Sequence, residues 1–376
     1  MTAWRELLRP SVIDVGAYRP GVSGDETMAR FGLTEVVRLN WNENLFGPLP
    51  GVLDEVAAAL DAAWSYPEDS YEGFRRAVAA WAGADPGQVI PGHGIQALTL
   101  ALVSAFVERG DSVVIPAPTY GLYAQACRVG GAVVHRVPCD DSLAIDLGAV
   151  AEAAREHGAK LAWVCDPNNP TGRRLDAGDW EAFLAAMPPR CVIVVDEAYG
   201  DYIEPELRID RVSEISAGRP IVILRTFSKI FGLAGLRLGY ALVGESLAPY
   251  LNAVHEPFNV NRAALAAGLA SLRRVELLDV RRDQTRRARD RLVAGAEAAG
   301  IVAVRSDANF VLLELGVDDE RVCEALAREG LLLRPGSELG LPGYVRVTTG
   351  DEQLMERVGT RLAEVVQREL ATAPQR

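Results

Sequence analysis

Lysine is almost missing from this chain. Among the 39 lysine and arginine residues only Lys160 and Lys229 are lysine. Histidine is scarce as well, with 4 in 376 residues. The five cysteines (127, 139, 165, 191 and 323) are scattered and odd in number. No Cys-x-x-Cys or His/Cys cluster occurs, which argues against a zinc site or a disulfide framework and predicts reduced core cysteines in a cytoplasmic protein. No stretch of about 18 apolar residues is present, so no membrane-spanning helix is expected. The opening "MTAWRELLRPSVIDVGAYRPG" lacks an apolar core of signal-peptide length. Positive charge is in deficit overall, with a net charge of −12, which argues against general binding to nucleic acid or anionic membranes. There are no repeats or low-complexity tracts. No Gly-x-Gly-x-x-Gly follows the first strand, against a plain nucleotide-binding reading.

What is present is an α/β pattern. A chain of 376 residues is too long for one small core, and predicts one large and one smaller domain. Residues 1–45 read as an irregular N-terminal arm that also contributes to the small domain, 46–260 as the large domain, and 261–376 as the small one. Helical spacing runs through "VLDEVAAALDAA" (52–63) and "YEGFRRAVAAWAG", closed by Gly83. "PGHGIQALTLALVSAFVERG" reads as a Gly-rich turn opening into a long apolar helix that stops at Gly110. Then "DSVVIPAP", "KLAWVCDP", "CVIVVDEAY", "PIVILRTFS" and "RLGYALVG" give short apolar runs that end in polar loops, several of them separated by helical patterns. Continuous apolar strands between helices predict a mostly parallel sheet covered on both faces, with a ligand site beyond its carboxyl ends. Residues 262–298 read as one Arg-rich helical segment. Its Arg281, Arg282, Arg286, Arg287, Arg289 and Arg291 interleave with Asp279, Asp283 and Asp290, which predicts a solvated face rather than a nucleic-acid patch. A smaller α+β domain follows, closed by a helix near 351–370.

The rarity of lysine gives Lys229 its meaning. An amine can lose a proton and form an imine, whereas a guanidinium stays charged. Lys229 stands at the end of an apolar strand, in a Ser/Gly loop. Other strand ends carry fitting groups. Asp196 in "VVDEAY" can pair with a protonated ring nitrogen, or cap a helix. Tyr199 lies three residues on and can reach a ring hydroxyl, as can Asn169 in "DPNNPTG", a sequence that also suits a simple turn. Gly94, Ile95 and Gln96 in "PGHGIQAL" offer free amides at a helix start for a phosphate. Ser228 and Arg237 flank the lysine. Tyr120 in "PAPTYGLY" can stack on a planar ring or simply pack in the core. Together these groups fit one ligand, with a phosphate, a basic aromatic ring, a hydroxyl and an aldehyde: pyridoxal 5'-phosphate.

At these residues the chain resembles the fold-type I pyridoxal-phosphate-dependent aminotransferases (class I/II), most closely the histidinol-phosphate branch. The resemblance covers nearly the whole length, through "AYRPG", "LNWNENLFGP", "YPEDSYEGFRRAVAAW", "PAPTYGLY", "DPNNPTG", "VVDEAYGDY", "RTFSKIFGLAGLRLGY", "ANFVLLE" and "LRPGSELGLPGYVRVTTG". It implies that Lys229 binds the cofactor covalently and moves a proton at the substrate Cα. Asp196 would hold the pyridinium, Tyr199 and Asn169 the ring hydroxyl, and Tyr120 the ring face. Ser228, Arg237 and the amides of Ile95 and Gln96 would hold the phosphate, joined by Tyr66 from a second subunit, which implies a homodimer with shared active sites. Tyr18, Asn44, Arg334 and Arg346 would bind the substrate.

Two departures bear on the substrate. The family's Gly-Ser-Asp-Glu reads Gly94-Ile95-Gln96-Ala97 here, and "NENPFG" has Leu45 in place of proline. The implied reaction moves an amino group between a donor, with histidinol phosphate first and an aromatic amino acid next, and 2-oxoglutarate. The rivals are a decarboxylase or lyase of the threonine-phosphate decarboxylase type, and a cofactor-binding module without turnover.

Overall fold

Residues 4–13, 15–17 and 21–372 are described by the computed structural model of the chain. A short strand, β1 (Val37–Arg38), precedes seven that form the large sheet: β2 (Val89–Gly92), β3 (Ser112–Ala117), β4 (Val133–Pro138), β5 (Leu161–Cys165), β6 (Val192–Asp196), β7 (Ile221–Thr226) and β8 (Gly239–Leu242). Five more follow: β9 (Val302–Ala303), β10 (Phe310–Glu314), β11 (Leu331–Leu332), β12 (Arg334–Pro335) and β13 (Tyr344–Thr348). The large sheet has the order β2-β8-β7-β6-β5-β3-β4. β7, β6, β5, β3 and β4 run parallel, while β8 is antiparallel to both β7 and β2. The mostly parallel α/β sheet expected from the sequence is therefore present, with "RLGYALVG" as its one reversed strand. β2 and β4 had no clear strand signal, since Pro91 and Gly92 interrupt the first and His135 and Arg136 the second.

Alternation along the central strands sorts their side chains between two cores. Val164, Val195 and Ile223 join Trp180 and Phe183 on one face. Trp163, Val194 and Leu224 join Leu98 and Leu102, from the helix Ile95–Phe106, on the other. Both faces are dry, which is why these strands read as unbroken apolar runs. A third core lies between the four-stranded sheet β12-β13-β10-β9 and the helices Leu278–Ala298 and Glu352–Thr372, where Leu292 and Ala296 meet Val358 and Leu362.

The Arg-rich segment departs from expectation in two ways. It divides into the helices Arg262–Leu272 and Leu278–Ala298. The first packs on the helices Val52–Ala59 and Glu72–Ala82 and gives Ala264, Ala267 and Ala270 to the large-sheet core, so the large body extends past 260. Nor is the second helix a uniformly solvated face. Arg281 and Arg282 lie on its buried side with Thr285, Ala288 and Leu292. Arg281 donates to the Asn44 side chain (3.0 Å) and to the Gly47 carbonyl (2.8 Å), and Arg289 donates to the Ala308 carbonyl (3.0 Å). A long guanidinium can cap loop carbonyls at a helix–loop contact, a use that a charge pattern does not reveal. Arg286, Arg287 and Arg291 do pair with acids in solvent. The N-terminal arm meets the C-terminal part of the chain through β1, which pairs parallel with β11 in a separate two-stranded sheet.

Beneath the strand ends lies a buried charge network. Glu197 follows Asp196, so alternation sends its side chain to the opposite side. Its two oxygens accept from Arg211 (2.7 Å) and Arg225 (2.8 Å), and Arg211 also donates to Asp166 (2.6 Å). The Arg211 guanidinium stands 4.4 Å from the Trp180 ring centroid. Burial pushes the Glu197 carboxyl up, but Arg225 and Arg211 outweigh it and leave it below its ordinary value. Removing Arg211 leaves the buried Asp166 carboxylate without its ion-pair partner and Glu197 with Arg225 alone, so Arg211→Leu is expected to cost about 3–5 kcal/mol of stability. Urea unfolding of the purified variant measures it, and an unchanged midpoint would remove the network from the account.

Candidate active site

A cavity of about 1000 Å³ opens at the carboxyl ends of β3, β5, β6 and β7, with the small sheet on its other side. Its lining includes Ile95, Gln96, Tyr120, Asn169, Asp196, Tyr199, Ser228, Lys229, Arg237, Arg334 and Arg346. The structure thus brings together, around one space, residues that the sequence scatters over some 250 positions.

Lys229 sits three residues beyond β7. Its Nζ donates to the Asn42 carbonyl (2.8 Å) and approaches that of Trp41 (3.4 Å). Both acceptors are neutral. Burial first, and then the Arg346 guanidinium, push the amine down to about 7. Asp196 ends β6 with one carboxylate oxygen on the Ala198 amide (2.9 Å) and the other accepting from the Tyr123 hydroxyl (2.5 Å). Burial raises this carboxyl to about 6.

Tyr199 is buried, and its hydroxyl accepts from the Asn42 side-chain amide (2.9 Å). Burial holds that hydroxyl well above its ordinary value. Asn169 uses its side-chain oxygen for Arg346 (2.5 Å), whose other arm donates to the Asn40 carbonyl (2.7 Å). The Asn169 carboxamide therefore has its NH₂ end for the cavity. Tyr120 meets Tyr123 edge-on, with ring centroids 5.4 Å apart.

At the other end of the cavity the helix Ile95–Phe106 begins. Gly94, at φ +95, turns the chain into it. A Cβ on Gly94 would stand 2.7 Å from the Arg237 guanidinium, and one on Gly239 would stand 3.2 Å from the Ile95 amide. Two glycines thus keep a cradle of helix amides and guanidinium clear, and this suits an anion. Arg237 itself is in the left-handed region (φ 57), with a further bond to the Ala234 carbonyl (3.0 Å). Strain of this kind persists where surrounding contacts over-determine it. An anion cradle, a buried carboxylate, an uncharged amide and phenol, and a half-neutral lysine fit the phosphate, ring nitrogen, ring hydroxyl and aldehyde of pyridoxal 5'-phosphate.

Asn44 and Tyr66 fall outside the lining of this chain's cavity. Asn44 does not line the cavity. Its side chain bonds the Ile230 carbonyl (2.8 Å), the Phe46 amide (3.1 Å) and Arg281, and so closes a turn rather than facing substrate. Tyr66 is exposed and stacks on Phe258 (4.7 Å), away from this chain's cavity. Tyr18 lies outside the described residues. Leu45 packs toward Gly350 and is not part of the lining either. Conversely, Asn42, Tyr123, Arg128 and Arg136 line the cavity without having been singled out. Asn42 stands two positions before Asn44 in the same motif. At φ 55, a conformation Asn tolerates, it turns its carbonyl to Lys229 and its amide to Tyr199.

The five cysteines are all unpaired. Among the described residues no group of three or more His, Cys, Asp or Glu is placed to hold a metal, and no helix is long and apolar enough to cross a membrane.

Known proteins resemble this chain. A histidinol-phosphate aminotransferase from Symbiobacterium thermophilum is 37% identical over 350 residues, 93% of this chain and 96% of its own. Histidinol-phosphate aminotransferase 2 from Caulobacter vibrioides is 37% identical, over 93% and 91%. The crystal structure of histidinol-phosphate aminotransferase from Sinorhizobium meliloti in complex with pyridoxal-5'-phosphate superposes with a TM-score of 0.88 at 26% identity, over 96% of this chain and 98% of that one. The model of the family "Aminotransferase class I and II" matches residues 34–362, so the chain belongs to the class I and II aminotransferases.

Proposed function

We propose that this pyridoxal-phosphate-dependent aminotransferase takes its amino group from histidinol phosphate and passes it to 2-oxoglutarate. The observation that carries the substrate reading is the pair Arg334 and Arg346. They are register partners on β12 and β13, both are buried, and both line the cavity. Arg128 and Arg136 line it from the side of the large sheet. Apart from Arg237 and Asp196, which the cofactor would occupy, four arginines and two acids, Glu43 and Glu338, line the cavity, with Glu338 paired to Arg334 (3.0 Å). One guanidinium fork suffices for a single carboxylate, so a phosphorylated donor makes fuller use of this wall. The names of the relatives point the same way.

When bound, the cofactor supplies a reactive carbonyl carbon and a ring that accepts electrons from the donor's Cα. The chain supplies the rest. Lys229 Nζ, near neutrality in its buried position, attaches the cofactor and later carries the proton at the donor's Cα. Asp196 holds the ring nitrogen's proton, while Tyr199 and the Asn169 amide hold the ring hydroxyl. Tyr120 covers the ring face. Ser228, Arg237 and the amides of Ile95 and Gln96 hold the phosphate, whose site keeps its backbone donors although it has lost the family's serine. Tyr66 serves the cavity of a second copy in a homodimer, a role that suits its exposure at 76%. Unpaired cysteines suit a cytoplasmic enzyme.

The purified protein is expected to be yellow, with borohydride fixing the cofactor on Lys229. Lys229→Arg should lower turnover by about 100-fold or more, the scale of a lost acid–base group; a full-rate variant would end this mechanism. Because only the neutral amine attacks a carbonyl, cofactor uptake by the apoprotein should accelerate as pH rises through about 7 and then level off. Arg346→Gln removes a cation that lowers the amine, so the midpoint should move upward in stopped-flow absorbance. Histidinol phosphate should outrun phenylalanine, tyrosine and threonine phosphate in converting the bound cofactor to its amine form. Activity confined to unphosphorylated donors would reject the substrate, and release of carbon dioxide would reject the reaction.

A further inference from the structure

We propose that Tyr123 is a positioning residue for the cofactor's ring nitrogen, setting through Asp196 how fully that nitrogen is protonated. The inference rests on the reading in which Asp196 holds the ring nitrogen.

The geometry is specific. The Tyr123 hydroxyl donates to Asp196 Oδ2 at 2.5 Å, within the short range of charge-assisted O–H···O⁻ bonds. The ring is fully buried and stacked on Trp163, at 4.7 Å between centroids and 12° between planes. Its other neighbour is Tyr120, edge-on. The phenol is thus clamped between two aromatic rings, and its hydroxyl cannot swing away from the carboxylate without breaking the stack. Tyr123 belongs to the helix Leu122–Gly130, and Asp196 ends β6. The bond therefore ties the cover of the site to its floor.

The groups around Asp196 leave this phenol a defined task. From β5 comes the Cys165 thiol, raised well above its ordinary value by burial and so uncharged. From the stretch after β6 come Glu197, which raises the Asp196 carboxyl, and Tyr199, whose hydroxyl burial keeps protonated. From beyond β7 comes Lys229, a cation that lowers the carboxyl. Tyr123 is itself pushed well above its ordinary value, by burial and then by the Asp196 charge, so it remains a donor at every working pH. The ionised carboxylate therefore leans on two neutral donors, the Ala198 amide and the Tyr123 phenol. Covalent use of Lys229 would weaken its support, whereas the phenol's support is permanent. A carboxylate that shares its charge with a phenol is a weaker base. It leaves the shared proton on the ring nitrogen rather than drawing it onto its own oxygen.

The test compares holoenzymes carrying Tyr123→Phe, Trp163→Phe and Asp196→Asn with the parent, each loaded with cofactor labelled with nitrogen-15 in the ring. Tyr123→Phe keeps the ring and the stack and deletes only the hydroxyl. Its ring-nitrogen resonance should move toward the neutral-pyridine position, as the proton shifts to Asp196. The acid limb of cofactor binding, near pH 6 in the parent, should move to higher pH. The turnover number should fall roughly 10- to 100-fold, with a smaller change in KM, the size expected of one hydrogen bond to a charged group. Trp163→Phe loosens the stack but keeps the hydroxyl, and should leave the resonance in place. A Tyr123→Phe enzyme that loses turnover with the resonance and acid limb unmoved would reduce Tyr123 to a packing residue and overturn the proposal. If Asp196→Asn also left the resonance unmoved, the assignment of Asp196 itself would fall.

Discussion

The carboxylate of Glu197 is never in water, and much of the molecule follows from that. Burying an unpaired charge is prohibitively costly, so two arginines must meet it, and one of them must also meet Asp166. That requirement fixes where β5, β6 and β7 end relative to one another. Strand alternation then does the remaining work. With Glu197 held below, Asp196 is turned to the other side, where it stands at the floor of the cavity.

Above that floor the electrostatic logic reverses. Asp196 and Lys229 are desolvated but only lightly compensated, so the carboxyl rises toward neutrality and the amine falls toward it. Both end near the pH at which a proton can be exchanged with little cost, which is where acid–base groups are most effective. The same burial that costs stability for these two groups gives them their reactivity. Arg346 on β13 adds to this, since it lines the cavity and presses on the lysine's proton.

Much of this was legible in the sequence, and the boundary of legibility has physical causes. Central strands announce themselves because both faces are dry, as in "VIVVD" and "LAWVC". Edge strands such as β4 face solvent on part of their length and lose that signal. Lys229 stood out because arginine replaces lysine nearly everywhere else. Asn42 and Asn44 occur in the same motif, and nothing in their spacing tells which of them turns inward. That is decided by Arg281, some 240 positions away, which captures Asn44. Tyr123 lay hidden beside Tyr120 for a similar reason: its partner Asp196 is distant in sequence and becomes a neighbour only when β3 and β6 join one sheet. Arg281 and Arg282 read as solvated because charge patterns record composition, while their burial depends on a loop packed against the helix.

The strip from Val37 to Asn42 has a mechanical consequence. Its first residues pair with β11, and Arg346 and Thr348 of the small sheet hold the Asn40 carbonyl and the Asn42 amide. The other end offers its carbonyls to the lysine and its amide to Tyr199. An amine engaged in a covalent bond has fewer protons to lend to those carbonyls. The strip therefore links the small sheet to the amine, because the carbonyls that meet Lys229 sit on the same segment that Arg346 and Thr348 hold.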